Sequence, residues 1–418
     1  MEPIRNPPLP YPLVFGQRPS LAKPSHVRES NVHDVLNLLR RHSPCSRADL
    51  VRLSGLTAPT VSAAVAGLQH RGLVSAVGPG SSSGGRPPGM LEFNARHAYV
   101  AGVDIGGSTV RVAIADLNGA IVGRWSAALL TERGPQALSE LVRNGISYAA
   151  QQQKVPVRKI IHIAAGAPGI TDVTAGRVIS APNLTGWHDV PLRDLLQKKT
   201  GVATTVENDV NLGALGESWC GAARNVSNFV FLAIGTGVGA GIILNGMLHH
   251  GANWSAGEVG YMLLPGLRQV PPMTDEPGGL ESAVGGHGIE RSFAPAPGGG
   301  ALRATDIFDL AAGGDARART ILHRAADLLA MAVTNLSLAL DLSLVVLSGG
   351  VGTHQALLQA VHRRLERNQF ARPQLALTTL KGDAQLYGAI YLSLQAAEAQ
   401  GLRRKAVAGR RAVLLENR

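Results

Sequence analysis

Three glycine-rich segments, residues 104–108, 235–241 and 348–350, have the composition of phosphate-binding turns. Glycine lets backbone N–H groups approach a phosphate closely, and small hydroxyl side chains add donors. One such turn is weak evidence because most glycine-rich turns are only turns, but three of them predict a phosphate site. The candidate contacts are Gly106, Gly107, Ser108, Gly235, Thr236, Gly237, Gly349 and Gly350.

Acidic and amide side chains add a second kind of chemistry. Asp104 begins the first glycine turn and could hold Mg²⁺, directly or through water. Asn208 and Asp209 are adjacent, and carboxylate and amide groups can bind the neighbouring hydroxyls of a sugar. For an isolated Asn-Asp pair, a turn at a strand end or a helix cap is the better interpretation. A ligand-binding role for Asn208 and Asp209 is favoured only because other motifs accompany the pair.

The elements that position these groups follow an α/β pattern. From Tyr99 onward the sequence predicts a strand, a glycine turn, a strand, a tight turn at Asn118-Gly119 and a third strand. Helices are predicted over 134–152 and 315–340. Further buried strands are predicted within 159–169, 228–246 and 342–352. The glycine turns fall at strand ends, where α/β folds bind ligands.

The first hundred residues predict a separate domain. A helical pattern starts at the N-cap Asn31, a second helix lies between Ser46 and Gly55, and a third lies between Thr57 and Gly72. Two short strands with a Gly- and Pro-rich tip follow. Three helices and a two-stranded wing make a winged helix-turn-helix, in which the third helix enters the DNA major groove.

Exposed hydroxyls and arginines are the candidate DNA contacts of this domain. Hydroxyls on the third helix can bond bases or phosphates, whereas arginines neutralise phosphates or, at the wing tip, enter a minor groove. A winged helix can also dock a protein, but basic flanks favour DNA. The candidate residues are Arg47, Arg52, Thr57, Thr60, Ser62, Arg71 and Arg86.

Charge and cysteine content narrow the class of protein. The net charge is +11, and residues 1–97 carry 11 Lys and Arg but 5 Asp and Glu, while residues 401–418 carry 6 and 1. The remainder is neutral, so the basic charge is concentrated in the first domain and the tail. Two distant cysteines exclude a disulfide framework. The sequence shows neither an apolar run long enough for a membrane span nor a signal peptide, which predicts a cytoplasmic protein without a membrane partner.

Several motifs in a fixed order, added to the first glycine turn, resemble the ROK family (repressors, open reading frames and sugar kinases). They are residues 166–169, 181–184, 207–211, 257–260 and 279–282. The resemblance covers about 390 residues and implies a multidomain α/β protein: a winged helix-turn-helix followed by a two-lobed, ribonuclease-H-like core of the actin and hexokinase type. The expected divisions are a disordered leader (1–27), the winged helix (28–96), the core (97–400) and a basic tail (401–418).

The resemblance also implies the roles of particular residues. Asp209 matches the general base of the family's kinases. The positions that contact sugar are Asn183, Asn208, Asp209, Glu258, Tyr261 and Glu281. Many relatives hold a structural zinc through one His and three Cys, but Tyr261 stands at the His position, and Pro, Thr and Gly stand where the Cys would be. We therefore expect no zinc, and ATP with Mg²⁺ only if kinase activity persists.

Two functions are compatible with these features. The first is a DNA-binding regulator, most simply a repressor, that senses a sugar or sugar phosphate and binds a double-stranded operator as a homodimer or higher oligomer. The alternative is an ATP-dependent sugar kinase resembling a glucokinase, which could also regulate. A purely structural interaction protein would leave the polar residues unexplained.

Overall fold

The structure is a computed structural model that describes residues 24–80, 87–129, 134–181, 184, 186–271, 276–293 and 300–401. The N-terminal domain has three helices and a small sheet of order β1-β3-β2. Its elements are α1 (Pro24–His42), β1 (Cys45–Ser46), α2 (Arg47–Ser54), α3 (Ala58–His70), β2 (Val74–Pro79) and β3 (Gly89–Phe93). This is the predicted winged helix-turn-helix.

Helix α2 forms for the local reasons that the sequence shows. The Ser46 side chain accepts the Asp49 backbone N–H, the Asp49 carboxylate accepts the Ser46 N–H, and Gly55 ends the helix at φ 69°. The predicted start of α1 at Asn31 is wrong, because the helix begins at Pro24. Proline fits a first helical turn, where its missing N–H has no partner to lose. The expected leader over 1–27 therefore overlaps α1.

The first lobe is built on a five-stranded sheet of order β11-β7-β4-β5-β6. The predicted hairpin and buried strands are present, and their apolar runs suit strands covered on both faces. A second, three-stranded sheet of order β10-β9-β8 lies beside it. The elements are β4 (Tyr99–Ile105), β5 (Thr109–Asp116), β6 (Ile121–Ala128), α4 (Pro135–Gln152), β7 (Ile160–Ala167), β8 (Ile170–Asp172), β9 (Arg177–Ser180), β10 (His188–Val190), α5 (Leu192–Thr200) and β11 (Thr204–Asn208).

The second lobe has a sheet of order β14-β13-β12-β15-β16. Its predicted strands and the long helix α10 are present. The elements, with the two interlobe helices α6 and α13, are α6 (Asp209–Cys220), β12 (Phe229–Ile234), β13 (Val238–Leu244), β14 (Met247–Leu248), α7 (Gly279–Val284), α8 (Gly286–Ser292), α9 (Ala304–Ala312), α10 (Ala316–Leu340), β15 (Leu344–Ser348), α11 (Gly349–Gly352), α12 (Gln355–Leu365), β16 (Gln374–Leu377) and α13 (Ala384–Gly401).

Helices α6 and α13 lie between the two sheets. Helix α6 packs on the second sheet, where a Cβ on Gly213 would lie 2.3 Å from the Phe231 ring. Helix α13 packs on β4 and β7 of the first sheet. The fold is therefore the expected two-lobed core, with the lobes joined through this helix pair. Among the residues described, none of the helices has the length and hydrophobicity needed to cross a membrane.

Candidate functional site

Asp209 is the first residue of α6, directly after β11. Asn208 caps this helix: its side-chain oxygen accepts the Asn211 N–H at 2.9 Å, and its amide donates to the Gly169 carbonyl at 2.9 Å. The helix-cap interpretation of Asn208 is therefore correct. Because the cap fixes the start of α6, it also fixes the backbone that carries Asp209.

Four carboxyl groups from different elements interact in series: Asp104 with Asp209, Asp209 with Glu258, and Glu258 with Glu281. Burial, then the charges of Asp104 and Glu258, raises the pKa of Asp209 to about 7. Burial and the charge of Glu281 raise the pKa of Glu258 to about 7. Burial also raises the pKa of Glu281. The structure thus brings together four residues that were singled out from the sequence, and we call Asp104, Asp209, Glu258 and Glu281 the carboxyl cluster.

The carboxyl cluster meets the second glycine turn. The Glu281 Oε2 accepts the Val238 N–H at 2.9 Å, and a Cβ on Gly237 would lie 3.0 Å from the same oxygen. Glycine at 237 therefore leaves room for the carboxylate. Candidate sugar contacts and candidate phosphate contacts are consequently adjacent, and we call this region the cleft.

The first glycine turn carries an ion pair that the sequence analysis missed. Asp104 and Arg111 are directly opposite in the β4–β5 hairpin. The Asp104 Oδ2 accepts Arg111 Nε at 2.8 Å and Nη2 at 2.6 Å. Burial raises the pKa of Asp104 and outweighs the lowering effect of Arg111. The alternation of the hairpin strands was the signal that could have identified Arg111.

The second and third glycine turns meet at the ends of the parallel strands β12 and β15. A Cβ on Gly349, which has φ 84°, would lie 2.3 Å from the Ile234 carbonyl oxygen and 3.0 Å from the Gly235 nitrogen. The Gly286 N–H donates to the Gly235 carbonyl at 2.7 Å. Only glycine fits at 349, so the second and third glycine turns pack directly against each other.

Tyr261 contacts the neighbouring loop through its hydroxyl, and its predicted contact with sugar stays a prediction. The hydroxyl donates to the Glu276 carbonyl at 3.0 Å, and the Glu276 carboxylate pairs with Arg268 at 2.8 Å. A Cβ on Gly278 would lie 2.1 Å from the Gly260 carbonyl oxygen. Tight backbone packing therefore holds the described residues that precede Glu281.

A buried carboxylate beside the carboxyl cluster was also missed. The side chain of Glu207 is 5% exposed; one oxygen accepts Asn211 Nδ2 at 3.0 Å and the other contacts His250 Nε2 at 2.8 Å. Burial lowers the pKa of His250, but the hydrogen bond and charge of Glu207 raise it above its ordinary value. The His250 ring packs edge-on against Trp254, which has φ 62°.

The winged helix presents the expected polar groups. Thr57, directly before α3, and Ser62, on α3, are exposed, and the Thr57 hydroxyl lies 2.9 Å from that of Thr60. The exposed Arg47 donates to Gln69 on α3 at 3.2 Å, and the exposed Arg52 donates to Asp49 of its own helix at 2.7 Å. Arg71 is half-buried, and burial lowers its pKa. Two candidates, Asn183 and Arg86, lie outside the described residues.

No group of three or more His, Cys, Asp or Glu side chains in the described ranges is arranged to hold a metal ion. The positions 272–275, which include two of the three sites of the missing cysteines, fall outside those ranges. The absence of a structural zinc thus stays a prediction.

Comparison with known proteins agrees with both halves of this architecture. Residues 100–396 match the ROK family and residues 29–81 match the MarR family. A glucokinase of Halalkalibacterium halodurans is 31% identical over 317 residues, covering 71% of this chain and 95% of that enzyme. A xylose repressor of Bacillus subtilis is 33% identical over 244 residues, covering 58% of this chain and 63% of the repressor.

A crystal structure of a ROK family transcriptional regulator, a homologue of the E. coli MLC protein, covers 89% of this chain and 99% of its own. Its TM-score is 0.71 at 21% identity, which shows the fold alone. The two lobes and their carboxyl-lined cleft define a protein of the sugar-kinase type, and the chain belongs to the ROK family. The MarR-type winged helix at its N-terminus places it in the branch of that family that regulates transcription.

Proposed function

We propose that this chain is a DNA-binding transcriptional regulator, a repressor, whose core binds a sugar or sugar phosphate as effector. The observation that carries the proposal is the combination in one chain of a winged helix with exposed hydroxyls on α3 and a core whose carboxyl cluster lies beside the glycine turns. The winged helix is unnecessary for a kinase, and the cleft is unnecessary for simple DNA binding. A sensor needs both.

The carboxyl cluster suits a ligand with several hydroxyl groups. Since the pKa values of Asp209 and Glu258 are both about 7, each carboxyl can donate or accept a hydrogen bond at neutral pH. Sugar hydroxyls also do both. The Asn208 Nδ2 donates one hydrogen to the Gly169 carbonyl and has a second hydrogen that could bind a sugar hydroxyl. The proposed sugar contacts are Asn183, Asn208, Asp209, Glu258, Tyr261 and Glu281. The Tyr261 hydroxyl also donates to the Glu276 carbonyl.

A palindromic operator is the proposed DNA partner. Two winged helices in a homodimer would contact half-sites about one helical turn apart, so a small change in their separation alters the affinity. Thr57, Thr60 and Ser62 would contact bases or phosphates. Arg47, Arg52, Arg71 and Arg86 would supply phosphate or minor-groove contacts. The relative named as a xylose repressor supports this class of function.

The regulator is tested by selecting duplexes from a random pool with the full-length protein and measuring their affinity by fluorescence anisotropy. D-glucose, D-xylose and N-acetyl-D-glucosamine are then added separately. We expect nanomolar binding to the selected duplex and a change of at least tenfold with a sugar that also raises Tm. Equal affinity for selected and scrambled duplexes would contradict the proposal.

Kinase activity is the second candidate, and the tuned pKa of Asp209 favours it. A general base works best when its pKa lies near the working pH, and the pKa of Asp209 is about 7. ATP, when bound, supplies the phosphoryl group. The adjacent turns at Gly235 and Gly349 are the proposed phosphate site. Arg111 binds the Asp104 Oδ2, and the other oxygen of Asp104 is the proposed Mg²⁺ ligand. The remaining proposed phosphate contacts are Gly106, Gly107, Ser108, Thr236, Gly237 and Gly350.

A coupled ADP-release assay over the same sugars decides whether this activity exists. Turnover by the wild-type protein that Asp209→Asn abolishes would establish a kinase, with kcat/KM rising to a plateau above about pH 7 as the base loses its proton. If a sugar raises Tm but no ADP is released, the protein is a sensor that binds sugar in the cleft without phosphorylating it.

A further inference from the structure

A buried ion pair joins the winged helix to the core. Arg40, in the last turn of α1, pairs with Glu398 on α13, and their side chains are 7% and 11% exposed. The Arg40 guanidinium also lies 5.0 Å from the centre of the Phe93 ring on β3. Exposed ion pairs contribute little, but removing one partner of a buried pair leaves a charge in an apolar environment. This contact is therefore sensitive to any displacement between the two domains.

The opposite end of α13 reaches the cleft. Asp383, directly before the helix, pairs with Arg124 at 2.9 Å and lies 3.7 Å from Arg111. Arg111 in turn holds Asp104 of the carboxyl cluster. At about 1.5 Å per residue, α13 spans on the order of 22 Å between Asp383 and Glu398. One helix thus connects a residue of the cleft to the DNA-binding domain.

Helix α6, which begins at Asp209, is in backbone contact with α13. A Cβ on Gly216 would lie 2.2 Å from the Ala384 carbonyl oxygen, and a Cβ on Gly388 would lie 1.8 Å from the Leu212 carbonyl oxygen. Helices packed this closely shift as units because their interface has no space for gradual deformation. A ligand that moves Asp209 must therefore move α13 or slide α6 along it.

We infer that α13 transmits occupancy of the cleft to the winged helix and that the Arg40–Glu398 ion pair is the coupling contact. This inference rests on the proposed function. Without the ion pair, the winged helix is still held by apolar packing that includes Phe93 and Ala98, but its position no longer follows that of α13. Because coupling between two sites is reciprocal, DNA then also ceases to alter sugar affinity.

The test compares the full-length wild type with Glu398→Gln. Glu140→Gln is the matched control, because Glu140 joins Arg143 and Lys199 within the first lobe. For each protein, anisotropy gives the Kd for the selected duplex with and without whichever of D-glucose, D-xylose and N-acetyl-D-glucosamine raises the wild-type Tm. We expect at least a tenfold sugar effect in the wild type and the control. In Glu398→Gln we expect the sugar to change the Kd for the duplex less than twofold. The Kd for the sugar itself should differ from that of the wild type by less than twofold.

Two further variants separate coupling from folding. Exchanging the charges, Arg40→Glu with Glu398→Arg, should restore part of the sugar effect. If Glu398→Gln unfolds, the apolar pair Arg40→Met with Glu398→Leu leaves no buried charge and should fold without sugar response. A full sugar response in either folded variant that lacks the pair would overturn the inference alone. A wild type without specific DNA binding or without any sugar response would overturn the proposed function, and the inference with it.

Discussion

Asp209→Asn should make the protein more stable at alkaline pH while it damages the cleft. Burial and two neighbouring carboxyls raise the pKa of Asp209 to about 7 in the folded protein, whereas the unfolded chain has a value near 4. The folded state therefore binds the proton more tightly. The stability that protonated Asp209 contributes is fully present below about pH 4 and is lost as the pH rises from about 4 to about 7.

The magnitude follows from the pKa difference. One pKa unit corresponds to about 1.4 kcal/mol, so a difference of about three units limits the cost of ionised Asp209 to roughly 4 kcal/mol. Asp209 is only partly buried, and water screens part of this cost, which leaves about 2 kcal/mol as the expected gain of Asp209→Asn at pH 8. At pH 5 the gain should be about a third as large, because the folded wild type is mostly protonated there.

Urea unfolding followed by tryptophan fluorescence measures this difference, with midpoints compared at equal m-values. Glu140→Gln is the control of opposite sign, because Lys199 and Arg143 lower the pKa of Glu140. Asp209→Asn should keep part of the pH dependence of wild-type stability, since Glu258 also has a pKa of about 7. A stabilisation equal at pH 5 and pH 8, or a destabilisation at both, would refute the electrostatic argument.

Three further outcomes are expected. Arg47→Ala should weaken binding to selected and scrambled duplexes alike and flatten the slope of log K against log salt by about 0.9; a loss confined to one sequence would instead indicate base recognition. Gly278→Ala places a Cβ 2.1 Å from the Gly260 carbonyl oxygen. Calorimetry should therefore show at least tenfold weaker sugar binding, while DNA binding without sugar stays unchanged. Unaltered sugar affinity would argue against this packing as the support of Glu281. Elemental analysis should find less than about 0.1 zinc per chain, because the Cys-rich ligand set is missing; one tightly held zinc would require other ligands.

Several structural features that depend only on residues close in sequence were predicted correctly. The Ser46–Asp49 capping box, the Gly55 stop and the glycine turns are local, because each needs only a few residues in fixed spacing. The sequence did not predict the Asp104–Arg111, Glu207–His250 and Arg40–Glu398 pairs, which the sheet register and the packing of distant elements bring together. The start of α1 was misplaced for a different reason: Asn31 has a side chain that suits an N-cap, but Pro24 suits a first helical turn and the helix begins there.

The role of Asn208 shows how local geometry and ligand chemistry combine in this cleft. As a helix cap, Asn208 fixes the first turn of α6, and this turn carries Asp209 of the carboxyl cluster. A residue with only a ligand role could be replaced at the expense of affinity alone, but changing Asn208 would also release the backbone of Asp209. If α6 and α13 move as units, such a change would alter the signal as well as the binding. The same cap therefore supports a kinase, which needs a fixed base, and a sensor, which needs a rigid connection from ligand to helix.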